Sequence, residues 1–483
     1  MKGTLQTPPS SSPGRRPAGE PIRTLAARHP AAIVSLVAAA LSAARWLKYA
    51  PIFTDDSREY LKIGNAILHG RFLAVDNGFR TPLFPLYLAL LGDRPRLVFA
   101  GHLVLGIAVC LLLYGIFRSL SGRSGIGIAA ALLYLLVPST PYYQASVLTE
   151  TLAAVCLALG AYFTVRAMRA PAKALRDVAL ASLAFSLASL DRPEYQLLAP
   201  IIVCATVFFR AQAGSFSWRL ASRAILAGLA PWVLLVLGWS SVNYARFGWF
   251  TLSTLTGYHL TQYSGPYLNE APPADRAVAE VFLQQEQAFI KAHHGRHVDA
   301  FWAARPRLLA STGLSDAQLS RAFLRVSVRL ILAHPKAYLS AVAWSWQVFW
   351  RPPLYSHGLN LPTLRRDFRG VFAGRMSWWD GFYAYLYLPI ELAYAAALVG
   401  PFFRKRWRPI LWSPGMLSLD IVVLYTAVVT SLFEPEDNNR FKVPVEGLIL
   451  GIALTAMWLM ASDWRKRRGK VRPRQAESPG FVE

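Results

Sequence analysis

The chain has 483 residues, of which 54% are hydrophobic and only 16% are charged, and its formal net charge is +24. So few charges with so much apolar content argue against a soluble domain, and the repeated apolar runs of roughly 17–25 residues have the length of membrane-spanning helices. In such a chain the positive charge is typical of a membrane-orientation signal and not of a nucleic-acid interface. The composition therefore predicts an all-α, polytopic transmembrane protein embedded in a lipid bilayer.

About ten apolar stretches are predicted to span the membrane. In chain order they cover residues 30–49, 97–117, 125–141, 146–165, 177–190, 195–209, 224–242, 381–403, 411–433 and 443–461. Basic residues cluster in the connectors on one side of these spans and in the tail, and the positive-inside rule assigns that side to the cytoplasm. We therefore expect the opposite ends of the spans to face the extracytoplasmic compartment.

The same pattern divides the chain into five parts. Residues 1–29 are rich in Pro, Ser and Arg, which is typical of a disordered, basic cytoplasmic segment. The other parts are an N-terminal transmembrane module (30–242) with a first outer loop at 50–96, an extracytoplasmic region (243–380), the C-terminal spans (381–461) and a basic cytoplasmic tail (462–483).

Residues 337–350 form the one ambiguous apolar segment. If they spanned the membrane, the basic connector at 404–408 and the basic tail would both lie outside the cell, against the positive-inside rule. We therefore expect a re-entrant or interfacial segment whose tryptophans lie at the level of the lipid headgroups.

Metal-binding residue types occur, but their spacing gives weak support for a metal site. The three cysteines lie in apolar stretches and have no spacing of a metal site or of a disulfide framework. His293, His294 and His297 are close together, although three histidines in a polar loop are more often simply solvated. The sequence leaves a divalent metal cofactor open.

Two adjacent carboxylates, Asp55 and Asp56, directly follow the first apolar stretch. Charges at the mouth of a membrane helix are costly unless they lie in water or in a functional site. Asp56 and Glu59 also have the spacing of a capping box for an amphipathic helix that ends near Gly70. Because a cap uses only one of the two aspartates, we favour a catalytic role for the pair, such as that of a general base.

Further charged and polar residues lie at the predicted outer ends of several spans. They are Arg80, Glu150, Asp191, Arg192, Glu194, Asn243, Arg246, Glu434, Glu436, Asp437 and Arg440. Arg440 and Lys442 precede the last span, and a guanidinium group matches phosphate oxygens in bidentate fashion, whereas lysine acts as a point charge. The alternative for Arg440 is an interfacial anchor, and for Glu150 it is a favourable helix N-terminus. Together these residues predict a polar cleft at the membrane surface.

Four stretches in this order resemble GT-C membrane glycosyltransferases, which include the protein O-mannosyltransferases and the aminoarabinose transferases that act on lipid A. Two of them, 56–70 (DSREYLKIGNAILHG) and 80–90 (RTPLFPLYLAL), resemble the first outer loop of that family. The other two, 243–250 (NYARFGWF) and 440–444 (RFKVP), resemble later landmarks. Many members have Asp-Glu where this chain has Asp-Ser at 56–57.

The resemblance implies a hexosyl- or pentosyltransferase of the bacterial plasma membrane. Its donor would be a sugar carried on a polyprenyl phosphate, transferred with inversion to an extracytoplasmic glycan, lipid or protein. The resemblance places the catalytic carboxylate at Asp56, with Asp55 beside it. From the chemistry of their side chains, we further expect the donor phosphate to be bound by Arg440, Arg80, Arg192 and Lys442, and the substrate by Glu150, Asn243 and Glu436.

Two other functions are compatible with the composition. A transporter or flippase for a lipid-linked sugar would be expected to have inverted repeats, broken helices and ionisable residues within its spans. A non-catalytic partner in an envelope assembly would tolerate substitution of the acidic pair. Because the conspicuous charges gather at one predicted face, the sequence favours the glycosyltransferase.

Overall fold

The computed structural model describes residues 29–170, 173–292, 300–353, 376–435 and 437–471. Within these ranges the regular secondary structure is helical, and the β contact found there is an isolated parallel bridge between Ile52 and Ser146. The predicted all-α, polytopic fold is therefore confirmed.

The helices up to residue 247 form the first part of the bundle and the first outer loop. They are α1 (Pro30–Lys48), α2 (Asp55–Leu68), α3 (Phe72–Val75), α4 (Leu83–Leu90), α5 (Pro95–Ser121), α6 (Ser124–Leu136), α7 (Ser139–Ala145), α8 (Glu150–Arg169), α9 (Ala174–Asp191), α10 (Leu198–Gln212), α11 (Trp218–Trp232) and α12 (Gly238–Phe247). A π-helical turn, Val233–Leu237, joins α11 to α12 without a break.

The later helices form an outer part and the end of the bundle. They are α13 (Thr256–Ser264), α14 (Arg276–Ala292), α15 (Ala300–Thr312), α16 (Asp316–Ala333), α17 (Pro335–Trp350), α18 (Met376–Phe403), α19 (Arg408–Leu411), α20 (Pro414–Ser431), α21 (Asn438–Phe441) and α22 (Val443–Val471). Short 3₁₀ turns lie at Pro193–Tyr195, Gly265–Glu270, Pro273–Asp275 and Lys405–Trp407.

Seven helices in the described ranges are long and apolar enough to cross a membrane. They are α1, α5, α8, α10 with its preceding turn, α11 continued by α12, α20, and α22 as far as Arg467. Each coincides with a predicted span, which leaves the stretches 125–141, 177–190 and 381–403 to be accounted for.

These three stretches are helical but differ from the other spans. The stretch 125–141 is bent by 59° between α6 and α7, and the two helices together would make an eighth span. The backbone of Val137 is extended there because a following proline, Pro138, disfavours helical geometry in the preceding residue. The stretch 177–190 falls on α9, which is not among the helices that are long and apolar enough to span, and the apolar part of α18 is the shorter Tyr387–Phe403.

Helix α22 is the most deeply buried of the seven, with 78% of its apolar window inside the structure. Glycines permit this close packing, since a Cβ on Gly451 would lie 1.9 Å from the ring of Phe117 and one on Gly447 would lie 2.6 Å from Leu113. Small residues at helix contacts let membrane helices approach closely. This packing fixes the start of α22, and with it α21, which directly precedes α22.

Helices α13 to α16 build a second apolar core beside the bundle, and we call the described part of residues 253–333 the outer unit. Phe79 of the first outer loop inserts into this core, where its ring packs edge-on against Tyr258 with centroids 5.6 Å apart. The backbone N–H of Thr254 donates to the carbonyl of Gly78 at 2.8 Å. The first outer loop is therefore fixed between the bundle and the outer unit.

The segment 337–350 belongs to α17, which has 16 residues. Its Ser345 accepts a hydrogen bond from the side chain of Asn438 at 2.9 Å, which ties α17 to the start of α21. Its re-entrant or interfacial position in a bilayer stays a prediction. The predicted N-terminal segment before His29 and the tail after Val471 lie outside the described residues.

The contact between α13 and α16 gives a test of the outer unit. In Gly257→Ala the new Cβ would lie 1.8 Å from the backbone carbonyl oxygen of Ser320, and backbone atoms yield less readily than side chains. We expect the variant to lose about 1–3 kcal/mol of stability, as overpacked cores do, measured as a lower melting temperature in nanodiscs. The matched control is Gly265→Ala, whose Cβ would meet its nearest neighbour at an ordinary 3.7 Å. Equal melting temperatures for the two variants would contradict the packing described.

Candidate functional site

The acidic pair lies in the first turn of α2, which is capped by other residues. The backbone N–H of Ser57 donates to the Thr54 hydroxyl at 3.4 Å, and the Thr54 N–H donates to the Ser57 hydroxyl at 2.9 Å. The capping box is thus Thr54 with Ser57, and the alternative of Asp56 with Glu59 is wrong. The carboxylate of Asp56 is left for contacts outside its own helix.

Asp56 lies between two guanidinium groups from distant parts of the chain. Its Oδ1 accepts from Arg80 Nη2 at 2.7 Å, and its Oδ2 accepts from Arg440 Nη1 at 3.0 Å. Burial alone would raise the pKa of Asp56, but the charges and hydrogen bonds of Arg80 and Arg440 outweigh it and hold the pKa well below its ordinary value. The carboxylate is therefore ionised in the ligand-free protein.

These contacts belong to one continuous chain of alternating charges, which we call the arginine network. It runs Glu59, Arg80, Asp56, Arg440, Glu150, Arg192, Glu194, with successive N–O distances of 2.6, 2.7, 3.0, 2.5, 3.1 and 2.5 Å. Its members come from α2, from the segment before α4, from the start of α8, from the turn after α9, and from α21. The fold thus brings the ends of several helices to one point.

Glu150 is the most enclosed member of the network. Its side chain is 0% exposed, and its Oε1 accepts from both Arg440 Nε and Arg192 Nη1. It occupies the first position of α8, where the helix dipole favours a negative charge. Because an unpaired buried charge is strongly unfavourable, Glu150 fixes the positions of both arginines.

Aromatic rings hold two of the guanidinium groups from the other side. Arg80 lies 4.7 Å from the ring centre of Tyr60, and Arg192 lies 4.5 Å from that of Phe441. Such cation–π contacts fix the plane of the guanidinium group as well as its position. The arginines are therefore ordered before any ligand binds.

The network faces a cavity of about 290 Å³ between the bundle and the outer unit. Its bundle side is lined by Asp56, Tyr60, Arg80, Thr81, Thr149, Asp191, Arg192, Pro193, Glu194, Glu434, Asp437, Arg440 and Phe441. Its other side is lined by Phe79, Leu255, His259, Gln262 and Trp302. A concave site with several convergent polar groups is the ordinary form of a small-molecule site.

A second, mostly apolar groove adjoins this charged cavity. It is lined by Gln196, Thr251, Leu252, Ser253, Thr256, Val429, Thr430 and Phe433 and shares Pro193, Glu194, Leu255, His259, Glu434 and Phe441 with the charged cavity. Two sequence neighbours of its lining residues are exposed apolar side chains: Leu197, which is 50% exposed, and Val428, which is 49% exposed. The charged cavity therefore continues into an apolar surface between the start of α10 and the end of α20.

Five of the sequence-predicted site residues meet in or behind this cavity. Asp56, Arg80, Arg192 and Arg440 line the cavity. Glu150 does not line it but lies behind Arg192 and Arg440, with which it is paired. Asp55, by contrast, is exposed at the first position of α2 and does not line the cavity.

The structure does not bring Asn243 and Lys442 to the cavity. The Asn243 side chain is buried, and its amide donates to the carbonyls of Thr251 and Leu252. Lys442 is also buried, and its ammonium group donates to the carbonyl of Trp350 and lies 3.5 Å from Glu391. Both contacts are of the kind that holds neighbouring elements together. Glu436 lies outside the described residues.

A resident metal ion does not fit the residues that the structure describes, since no three acidic, histidine or cysteine side chains there form a group able to hold one. The carboxylates of the arginine network each face a guanidinium group instead. The predicted histidine cluster, His293, His294 and His297, lies outside the described residues.

The sequence does not reveal part of the arginine network or part of the cavity wall. Glu59 has the spacing of a capping residue, but in the structure its Oε2 accepts from Arg80. His259, Gln262 and Trp302 come from the outer unit, where no motif marks them, and only the packing of α13 and α15 against the first outer loop brings them to the cavity. Their polar or aromatic character in an amphipathic region was the only signal.

Comparison with known proteins gives a distant likeness. No family model and no curated protein matches the sequence. Two solved structures from Archaeoglobus fulgidus are similar: an oligosaccharyltransferase tethered with an acceptor peptide, at 12% identity over 95% of this chain, and the oligosaccharyltransferase AglB with an inhibitory peptide and a dolichol-phosphate, at 13% over 94%. Both have a TM-score of 0.44, and this chain spans 53% of their length. Similarity at this level carries no functional argument.

The network predicts different stabilities for two equivalent substitutions. Glu150→Gln removes a fully buried carboxylate that the buried Arg192 and the partly buried Arg440 share, and loss of one partner of a buried ion pair costs about 3–5 kcal/mol. Glu59→Gln removes a carboxylate whose side chain is 29% exposed, so we expect a loss of about 1 kcal/mol or less. Thermal unfolding in nanodiscs measures both. A Glu59→Gln variant as unstable as Glu150→Gln would show that burial does not set the strength of these pairs.

Proposed function

We propose that the protein is a membrane glycosyltransferase that moves a sugar from a polyprenyl-phosphate donor to an extracytoplasmic acceptor, with inversion. The observation that carries the proposal is the union of a carboxylate, several guanidinium groups and an apolar groove in one continuous site. The donor has three matching parts: a sugar to be attacked, a phosphate to be held and an apolar tail to be kept out of water. The GT-C resemblance of the sequence supports the same function.

Arg440 and Arg192 are the proposed phosphate-binding residues. Each uses its Nε and one Nη in the network, so N–H donors remain on the second Nη of each guanidinium group. Guanidinium groups bind phosphate in a planar, two-point geometry, and ordered donors stabilise developing charge without reorganising. As the bond to the sugar breaks, these donors stabilise the leaving polyprenyl phosphate.

The polyprenyl chain is proposed to lie in the apolar groove that adjoins the cavity. Burying an apolar chain against Leu252, Val429 and Phe433 is favourable by roughly 25 cal/mol per Å² of surface removed from water. The groove meets the charged cavity at Glu194 and Phe441, beside Arg192. A lipid lying along α10 and α20 would therefore present its phosphate to the arginines.

Asp56 is the proposed general base. An acceptor hydroxyl attacks the anomeric carbon, its oxygen–carbon bond forms while the carbon–oxygen bond to the phosphate breaks, and its proton passes to the Asp56 carboxylate. The electron pair of the broken bond leaves with the polyprenyl phosphate. Attack from the face opposite the phosphate inverts the anomeric centre.

Donor binding is also proposed to activate this base. A carboxylate whose pKa is held low is a weak base, and general-base catalysis improves as the pKa approaches the working pH. A phosphate that takes up donors of Arg440 competes with Asp56 for the same guanidinium group. Weakening that pair raises the pKa of Asp56 once the donor is in place, so proton transfer is coupled to donor binding.

The orientation of the site follows from the predicted topology. The basic connectors lie at the opposite ends of the same helices, for example Arg166 and Arg169 in the last turn of α8, which begins at Glu150. The positive-inside rule assigns those ends to the cytoplasm, so the cavity is proposed to face the extracytoplasmic side of a bacterial plasma membrane. The acceptor would then enter beside the outer unit.

The direct test uses purified protein in lipid nanodiscs with polyprenyl phosphates that carry glucose, mannose or arabinose. We expect release of free polyprenyl phosphate from one donor when an envelope extract supplies acceptors. Asp56→Asn should lower the rate by roughly two to four orders of magnitude, which is the usual contribution of a general base. Asp55→Asn should keep near wild-type turnover because Asp55 lies outside the cavity.

Other results would contradict specific parts of the proposal. Full activity in Asp56→Asn would exclude Asp56 as the base, and loss in Asp55→Asn alone would move the base to its neighbour. Donor binding without release by the wild type and by both variants would favour a flippase. Failure of the wild type to bind any of the three donors would contradict the proposed function.

The arginine pairs predict the pH dependence of the reaction. The pKa of Asp56 is held below its ordinary value of about 3.9, so its carboxyl group stays ionised throughout the range from pH 8 to pH 5. Asp56 therefore causes no fall in kcat/KM over that range. Arg80→Gln removes one guanidinium group, so the pKa of Asp56 rises and the acid limb of kcat/KM moves to higher pH by roughly one to three units. Arg58→Gln removes the same charge from the exposed face of α2 and should leave the limb in place. An unshifted limb in Arg80→Gln would contradict the role of this pair.

A further inference from the structure

Asp191 is a buried acid in the cavity that the mechanism above does not use. It is the last residue of α9, is 1% exposed and lines the charged cavity. Neither oxygen of its carboxyl group has a hydrogen-bond partner in the structure. Buried polar groups are nearly always hydrogen-bonded, so a group left without a partner calls for an explanation.

The surroundings of Asp191 make the unpaired carboxyl group costly. The C-terminal end of a helix disfavours negative charge, and α9 ends at this residue. The adjacent Arg192 directs its Nε to Glu194 and one Nη to Glu150, so it gives Asp191 no hydrogen bond. A donor from a bound molecule would relieve this cost.

The side chain of Asp191 has no evident structural task. Its backbone carbonyl accepts from the Thr81 hydroxyl at 2.8 Å, and this contact ties the end of α9 to the first outer loop. That contact does not depend on the carboxyl group. The side chain thus remains open to a ligand in the cavity.

The chemistry of the cavity selects the kind of ligand group. A carboxyl group repels phosphate, which the arginines on the same wall attract. A cation would need several oxygen ligands, but Asp56 and Glu194 are paired with arginines, and no three acidic, histidine or cysteine side chains among the described residues form a group able to hold one. A neutral hydroxyl group fits in every respect, since it can donate to a carboxylate or exchange hydrogen bonds with a carboxylic acid.

We infer that Asp191 binds a hydroxyl group of the transferred sugar and selects among donor sugars. The inference rests on the proposed function and names the part of the donor that this cavity recognises. The arginines bind the phosphate that all such donors share, and Asp191 contacts the sugar, which is the part in which the donors differ. A site built to hydrogen-bond a hydroxyl group discriminates strongly against an analogue that lacks it, because the buried partner is then left unpaired.

The test separates sugar recognition from phosphate recognition. The probes are polyprenyl phosphate without sugar and the one donor in the panel of three that the wild type uses. For Asp191→Asn we expect an affinity about 10- to 100-fold weaker for the sugar-bearing donor, in line with a lost hydrogen bond to a charged group. The affinity for bare polyprenyl phosphate should not change.

Deoxy analogues of the donor identify the hydroxyl group. Wild type should lose affinity for the analogue that lacks one particular hydroxyl group, whereas the difference between that analogue and the parent donor should be much smaller for Asp191→Asn, because a neutral amide forms a weaker hydrogen bond than a carboxylate. Asp191→Ser is a second variant with a smaller side chain, and we expect the same pattern from it. Unchanged melting temperatures establish that the variants are folded.

Asp177→Asn is the matched control on the same helix. Asp177 is buried at the other end of α9, but it is paired with Arg166 and Arg176 and does not line the cavity. This variant should bind both lipids as the wild type does. Wild-type donor affinity in both Asp191 variants, or an equal loss for donor and bare polyprenyl phosphate, would overturn the inference. A wild type that binds neither lipid would instead overturn the proposed function itself.

Discussion

The enclosure of three guanidinium groups and four carboxylates in one alternating chain is the constraint on which the site depends. A buried charge is tolerated only when it is paired and hydrogen-bonded, so no member can move without exposing another. Glu150 shows this most clearly, because one of its oxygens serves both Arg440 and Arg192. The start of α8, the turn after α9 and α21 must therefore reach their positions together, although they are far apart in sequence.

Apolar packing supports this arrangement of charges, because it fixes the helix ends without relying on the ion pairs themselves. Glycines on α22 allow this helix to pack closely against α5. Because Arg440 belongs to α21, which directly precedes α22, this packing also fixes the position of Arg440. Phe79 fixes the first outer loop from the opposite direction by inserting into the core of the outer unit, and Arg80 follows it directly. The donors and acceptors of the cavity are thus ordered by contacts outside it, which is the condition for stabilising charge without reorganisation.

The sequence predicted the parts of this structure that depend on local pattern. Apolar runs predicted the helices, and four of the charged residues at the predicted helix ends, Asp56, Arg80, Arg192 and Arg440, line one cavity in the structure. Local pattern did not decide which of two adjacent aspartates faces the cavity, because that depends on how the cap at Thr54 sets the rotation of α2. Lys442 follows the same motif as Arg440 but points to Glu391 and Trp350, a result of packing between α17, α18 and α22. The outer-unit wall likewise depends on contacts distant in sequence.

In the proposed reaction the arginines that bind the donor must also release the product. The donor is a phosphodiester with one negative charge, whereas the leaving polyprenyl phosphate is a monoester whose charge at pH 7 is about −1.5 to −2. The product therefore pairs more strongly with Arg440 than the donor does. Glu150, and Asp56 once it has released the acceptor's proton to water, oppose this, because both carboxylates pair with the same guanidinium group as the phosphate leaves. The excess of carboxylates over guanidinium groups in the network thus weakens product binding. The same network that keeps Asp56 a weak base before the donor binds therefore also returns the site to its starting state after transfer.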